Sequence, residues 1–139
     1  MGGLMFLLDT NIWLELLLDQ DKAAQVRCLL EAEEAGQFAL TDFSLYSLGV
    51  ILTRLEKDEV FLDFLCDTLE DSAVRLIRLD TASLKEVPMV RRKFGLDFDD
   101  AYQYLAAVKY NLTLVSFDSD FDRTERGRRT PAEVAGPKP

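Results

Sequence analysis

Four short apolar runs, Met5–Leu8, Phe38–Thr41, Val74–Leu79 and Leu112–Phe117, punctuate the chain and are separated by longer stretches with helical spacing. The first run has no polar alternation, which predicts a strand covered on both faces. The third alternates with arginines and reads as a strand nearer an edge. Strands that alternate with helices form parallel sheets with helices on both faces, because a parallel connection needs a crossover long enough to hold a helix. The expectation is one α/β domain over residues 1–139, built as three layers, α/β/α, around a central and mostly parallel sheet of four to five strands. In such sheets sites form at the carboxyl ends of the strands.

The intervening stretches read as helices. Thr10–Asp19 is apolar on most sides, with Trp13 in the core. Lys22–Ala35 is closed by Gly36. A third helix, capped by Asp42 or Ser44, runs to about Leu55, and Asp58–Glu70 follows. Thr81–Phe94 has Pro88 as a kink or break. "GLDFDDAYQYLAAVKYN" is a long helix with Ala101, Leu105 and Val108 at core spacing.

Histidine is absent, which excludes histidine-based triads, histidine general bases and most zinc sites. Cys28 and Cys66 provide neither a disulfide framework nor a close-spaced metal pair. Chemistry therefore has to rest on carboxylates, hydroxyls, lysine, arginine or cysteine. The net charge of −9 argues against broad electrostatic binding of nucleic acid. The charge is unevenly placed, however. Asp97, Asp99, Asp100, Asp118, Asp120 and Asp122 precede a basic stretch containing Arg123, Arg126, Arg128 and Arg129, and residues 123–139 read as a flexible, solvated tail. No apolar run approaches the ~20 residues needed to span a bilayer, and no secretory signal is recognisable at the start, so the cytoplasm is the expected compartment.

Two strands end in aspartate: "FLLD" at Asp9 and "LVSFD" at Asp118. If both are central and parallel, the two carboxylates emerge at the same edge. Asp100 lies in the first turn of the helix that enters the fourth strand. An antiparallel helix, taken by itself, would start at the opposite edge unless it crossed the sheet obliquely, and pattern alone leaves this open. Carboxylates gathered without histidine suit a hard cation such as Mg²⁺ or Mn²⁺. Such an ion lowers the pKa of a bound water and offsets charge on a phosphoryl oxygen. Arginines nearby could hold a phosphodiester.

At these residues the chain resembles the PIN-domain proteins, a family of metal-dependent ribonucleases that includes the VapC-like toxins of type II toxin–antitoxin pairs. "LLDTNIWLELL" resembles the family's opening strand and aspartate, and "LDFDDAYQYLAAVKYNLTLVSFDSDF" its closing half. The resemblance implies a PIN-like fold and divalent-metal-dependent hydrolysis of RNA. It implies Asp9, Asp100 and Asp118 as catalytic and metal-binding acids, Asp120 as a further metal-binding position, and Asn11 and Ser116 as polar supports. It also implies an antitoxin partner and a homodimer. Arg123, Arg126, Arg128 and Arg129 are weak candidates for RNA binding. The family usually carries a glutamate on the helix after the second strand, whereas this chain has Leu48 and Gly49 near that place; Asp42 is the nearest acid that could substitute.

Taken singly, each acid has a simpler reading. Asp9 could cap a helix, Asp97 and Asp100 could favour a helix start, and Asp118 could cap a turn. A PIN-like RNA- or protein-binding module without catalysis is the alternative function, supported by the missing glutamate. A dehalogenase-type phosphoryl-transfer enzyme needs a second aspartate where Asn11 stands, and a receiver-like domain needs a lysine after the late strand.

Overall fold

The computed structural model describes residues 5–135. Its centre is a four-stranded sheet of β1 (Phe6–Leu8), β2 (Phe38–Thr41), β3 (Arg75–Ile77) and β4 (Thr113–Val115), in the spatial order β3-β2-β1-β4. Every pairing is parallel; Phe6 sits opposite Phe38 and Thr113, and Leu8 opposite Val115. β1 is central, and β3 is an edge strand with Arg75 and Leu76 exposed, as its alternation implied. β4 is the last named strand rather than a central one. Its outer edge is covered by the returning chain: the Arg129 N–H donates to the Leu114 carbonyl (2.8 Å) and the Ser116 N–H to the Arg129 carbonyl (3.0 Å). That contact protects an edge that would otherwise present free backbone groups.

The period of two in the strands sorts their side chains into two cores. Phe6, Leu8, Phe38 and Leu40 pack with Ile12 and Trp13 of α1 (Thr10–Leu17), Val26 and Leu29 of α2 (Ala23–Ala32), Leu45 and Leu48 of α3 (Asp42–Arg54), and Phe64 of α4 (Asp58–Phe64). Leu7, Ala39 and Ile77 face the other way. They meet Val87 of α6 (Val87–Phe94) and Ala101, Tyr102 and Leu105 of α7 (Phe98–Lys109). The result is the expected α/β/α sandwich.

Several boundaries differ from the sequence reading, each for a local reason. The stretch 81–94 is split into α5 (Thr81–Leu84) and α6, and Pro88 sits in the first turn of α6, where its missing N–H has no intrahelical partner to lose. Gly95 closes α6 at φ +65°, a left-handed conformation that favours glycine. α2 stops at Ala32 with Glu33 extended, so Gly36 is not its stop but part of a 3₁₀ turn, Ala35–Gln37. Thr41, rather than Asp42 or Ser44, caps α3, accepting from the Ser44 N–H at 3.0 Å. α4 runs into a π-helical turn, Leu65–Glu70.

Residues 123–135 do not form the flexible tail that composition suggested for 123–139; residues 136–139 lie outside the described residues. They carry the Arg129 pairing and α8 (Pro131–Ala135), with Pro131 buried and Val134 packed against the core that includes α2. A charged segment is held this way because backbone pairing, two apolar residues and arginines that donate to main-chain carbonyls anchor it together. Among the described residues, no helix is long and apolar enough to cross a membrane.

Candidate metal centre

α7 runs antiparallel to the strands and ends where β4 begins, so it starts at the carboxyl edge; no oblique crossing is needed to bring Asp100 there. Asp9 follows β1 directly. Asp118 follows β4 as the cap of the 3₁₀ turn Ser119–Arg123, which contains Asp120. Four acids from three separate parts of the chain thus reach one edge of the sheet.

The tightest group is Asp100, Asp118 and Asp120, each of which offers a carboxylate oxygen within 4.8 Å of the others. Asp9 is not in this trio but lies near enough for its charge to act on Asp100. Asp99, the neighbour on α7, is exposed. Burial, the adjoining Asp118 carboxyl and the charge of Asp9 push the Asp100 carboxyl up to about 8. Asp9 is also raised, chiefly by burial, although donors from Gln103, Ser116 and Thr10 oppose the shift. These are carboxylates whose mutual repulsion is unmet. The donor set is all oxygen, without thiolate or imidazole, and fits a hard divalent cation.

The acids also perform the structural tasks that a simpler reading assigned them. Asp9 caps α1, accepting from the Thr10 N–H at 2.8 Å, and Asp118 caps the turn after β4, accepting from the Asp120 N–H at 2.8 Å. The cap and cluster roles coexist because a carboxylate has two oxygens and about four acceptor positions.

Ser116 is the hub behind the acids. Its hydroxyl donates to Asp9 Oδ2 (2.7 Å) and accepts from the Asp118 N–H (2.9 Å) and from Asn11 Nδ2 (3.2 Å). Asn11 Oδ1 accepts from the Phe117 N–H at 3.2 Å. One hydroxyl and one amide therefore hold the ends of β1 and β4 in register.

Sequence reasoning missed Gln103. It is 1 % exposed on α7, one turn after Asp100. Its Nε2 donates to Asp9 Oδ1 (3.0 Å) and Ser44 Oγ (2.8 Å), and its Oε1 accepts from Thr41 Oγ1 (2.6 Å). Ser44 Oγ in turn hydrogen-bonds Thr10 Oγ1 at 2.8 Å. The signal available was a carboxamide among the core positions of an otherwise apolar helix face, a group that must find partners when buried.

Asp42 takes no part in the trio. Its Oδ1 accepts from the Tyr102 hydroxyl (2.6 Å) and the Phe43 N–H (2.8 Å), and the Tyr102 oxygen accepts from the Leu79 N–H (3.0 Å). Burial and the Asp42 carboxylate push Tyr102 up to about 12. On α3, Leu48 is fully buried and Gly49 faces the Phe61 ring, which stands 3.1 Å from where a Cβ would lie. The place where an acid was sought is thus apolar core.

The arginines divide by partner. Arg123 donates to Asp120 Oδ1 (3.3 Å) and to the carbonyls of Phe94 (3.1 Å) and Gly95 (2.6 Å). Arg126 holds the Leu112 carbonyl (3.0 Å). Arg128 pairs with Asp122 (3.2 Å) and donates to the Ser116 carbonyl (3.1 Å), directly behind the hub. Arg129 is exposed. Three of the four are therefore brackets within the fold, and Arg123 and Arg128 stand beside the acids.

The fold is shared with solved structures of low sequence identity. A toxin–antitoxin complex from Klebsiella pneumoniae aligns with a TM-score of 0.72 at 20 % identity, covering 91 % of this chain and 97 % of that one. FitAcB from Neisseria gonorrhoeae aligns at 0.70 and 20 %, covering 91 % and 98 %. VapC20 from Mycobacterium tuberculosis, described as a sarcin–ricin loop cleaving toxin, aligns at 0.71 and 17 %, covering 84 % and 92 %. No curated protein sequence matches the chain significantly. The PIN domain family model matches residues 6–127, a span that takes in all four strands, the acidic edge and the Ser116 hub. This chain belongs to the PIN domain family.

Proposed function

We propose that this protein is a divalent-metal-dependent endoribonuclease, the toxin of a toxin–antitoxin pair, acting in the cytoplasm as a single PIN-like domain over residues 1–139. The observation that carries this reading is the convergence of Asp100, Asp118 and Asp120 within 4.8 Å at the carboxyl edge, next to a buried Asp9. Asp9, Asp100, Asp118 and Asp120 would hold Mg²⁺ or Mn²⁺, with Asn11 and Ser116 keeping Asp9 and the Asp118 backbone in place. When bound, the ion supplies a Lewis acid that activates water and offsets charge on a phosphoryl oxygen. A bound cation would offset the burial and neighbouring carboxylate charge that raise the Asp100 carboxyl. Arg128 and Arg123, anchored at the rim, are placed to meet backbone phosphates of RNA, with the exposed Arg129 and the more distant Arg126 extending the basic margin. In the metal-free state the same acids suit an arginine from an antitoxin segment, since guanidinium pairs with carboxylates through two parallel bonds. The exposed Tyr46 and Val50 of α3, beside Phe43, offer apolar surface for a homodimer.

The test is cleavage of end-labelled RNA by the purified chain with Mn²⁺ and with EDTA, alongside Asp100→Asn and Asp118→Asn. Cleavage should require the metal and vanish in both variants. The second reading, a binding module without catalysis, is favoured by the apolar Leu48 and Gly49 on α3. RNA retention without metal-dependent cleavage would establish it instead.

A further inference from the structure

Gln103 has no catalytic chemistry of its own, yet it is among the most deeply buried polar side chains and every polar atom it has is used. It joins three elements at the acidic edge: Thr41 at the end of β2, Ser44 in α3 and Asp9 at the end of β1. Its contact with Asp9 decides how that carboxylate can act. Oδ1 accepts from the Thr10 N–H (2.8 Å) and from Gln103 Nε2 (3.0 Å), so both of its lone-pair positions are filled. Among the described residues Oδ2 accepts only from Ser116 Oγ (2.7 Å), which leaves one position open. Without the Gln103 donor, Oδ1 would also be open and the carboxylate could rotate about its terminal torsion, which is soft.

We propose that Gln103 is a positioning residue for Asp9: its amide occupies the second acceptor position of Oδ1 and so presents Asp9 to a divalent cation through Oδ2 alone. The role also accounts for a departure of this chain. α3 presents no acid to the site, since Leu48 is buried and Gly49 faces Phe61. In its place the neutral Gln103 amide reaches the Asp9 carboxylate from α7, and the Ser44 hydroxyl of α3 accepts from that same amide, so Asp9 is held without another negative charge beside Asp100 and Asp118. Hydrogen bonds behind a ligand fix its orientation, and their removal typically weakens metal binding 10–100-fold.

This inference rests on the metal-site reading above, and the experiment separates the two. Mn²⁺ binding is measured by calorimetry, well below the melting temperature and with the fold checked by circular dichroism. The proteins are the wild type, Gln103→Met, Gln103→Asn and Thr41→Val. Gln103→Met keeps the length but has no donor; Gln103→Asn keeps an amide but withdraws it, and it decides the matter if the methionine variant does not fold. Both should bind Mn²⁺ at least about tenfold more weakly than the wild type. Thr41→Val removes the Oε1 partner while leaving the donor to Asp9. It should lower stability and keep Mn²⁺ affinity within about twofold, on the scale that a remote partner is expected to show. A Gln103 variant that folds and binds Mn²⁺ as the wild type does would overturn the positioning role and leave the metal site standing. A wild type that binds no Mn²⁺ would overturn the metal site and this role with it.

Discussion

Asp100 and Asp118 share space that two negative charges cannot occupy at no cost, and the consequence is measurable. The Asp100 carboxyl is raised from 3.8 to about 8 by burial, by the adjoining Asp118 carboxyl and by neighbouring charge. Between those values the folded state holds a proton that the unfolded chain has released. Stability of the metal-free protein is therefore greatest near and below pH 4 as far as this group is concerned, and it declines as pH rises toward 8. Urea titrations in EDTA at pH 5.5 and 8.5 should give a lower midpoint at the higher pH, and Mn²⁺ should remove the difference. A midpoint that rises with pH would contradict this. Asp118→Asn adds a second check. The asparagine oxygen can still accept from the Asp120 N–H, so the cap survives while the repulsion is gone. The metal-free variant should match the wild type or exceed it by up to about 1 kcal/mol. It should also lose most of the gain from Mn²⁺, which mass action sets at about 2.7 kcal/mol for a hundredfold excess over Kd. If Asp118 only capped its turn, neither protein would respond to Mn²⁺.

At the scale of elements, the site depends on three helix starts meeting three strand ends. α1 begins at Asp9, α3 is capped by Thr41, and α7 brings Asp100 and Gln103 on one face, one turn apart. A second polar bracket ties α7 to α3 outside the acid cluster, through Tyr102, Asp42 and the Leu79 N–H. Tyr102→Phe would leave the buried Leu79 N–H without its acceptor and Asp42 Oδ1 with the Phe43 N–H as its remaining donor. The expected cost is about 1–3 kcal/mol in urea unfolding, with Mn²⁺ affinity unchanged. A loss of metal binding in this variant would place Asp42 inside the site after all. By sequence Asp42 could substitute for the missing glutamate, since it follows β2 directly, but its carboxylate accepts instead from the Tyr102 hydroxyl and the Phe43 N–H. Which acid at a strand end joins a cluster is decided by its neighbours on other elements.

The whole molecule carries a net charge of −9, so the proposed attraction for RNA would have to be local, and the margin of Arg123, Arg128 and Arg129 that would supply it also closes the sheet. Removing residues 128–139 would strip two backbone hydrogen bonds from β4 and the packing of Pro131 and Val134. The expected loss is about 2–4 kcal/mol, read as a lower urea midpoint. A truncated protein as stable as the full chain would restore the picture of a free tail.

The strand and helix order was legible because apolar runs of three to six residues, bounded by aspartate, glycine and proline, carry their own periodicity. The absence of histidine left carboxylates, hydroxyls, lysine, arginine or cysteine to carry any chemistry, and the aspartates at two strand ends pointed to oxygen donors. What lay beyond reach were facts of distance. Asp120 joins Asp100 and Asp118 more closely than Asp9 does, Asp42 turns to Tyr102, Gln103 reaches across to Asp9, and the basic end folds back on β4. Each is a contact between groups far apart along the chain. Local pattern records which residues a strand or helix will bury, but only packing of one element against another decides which polar atom meets which partner.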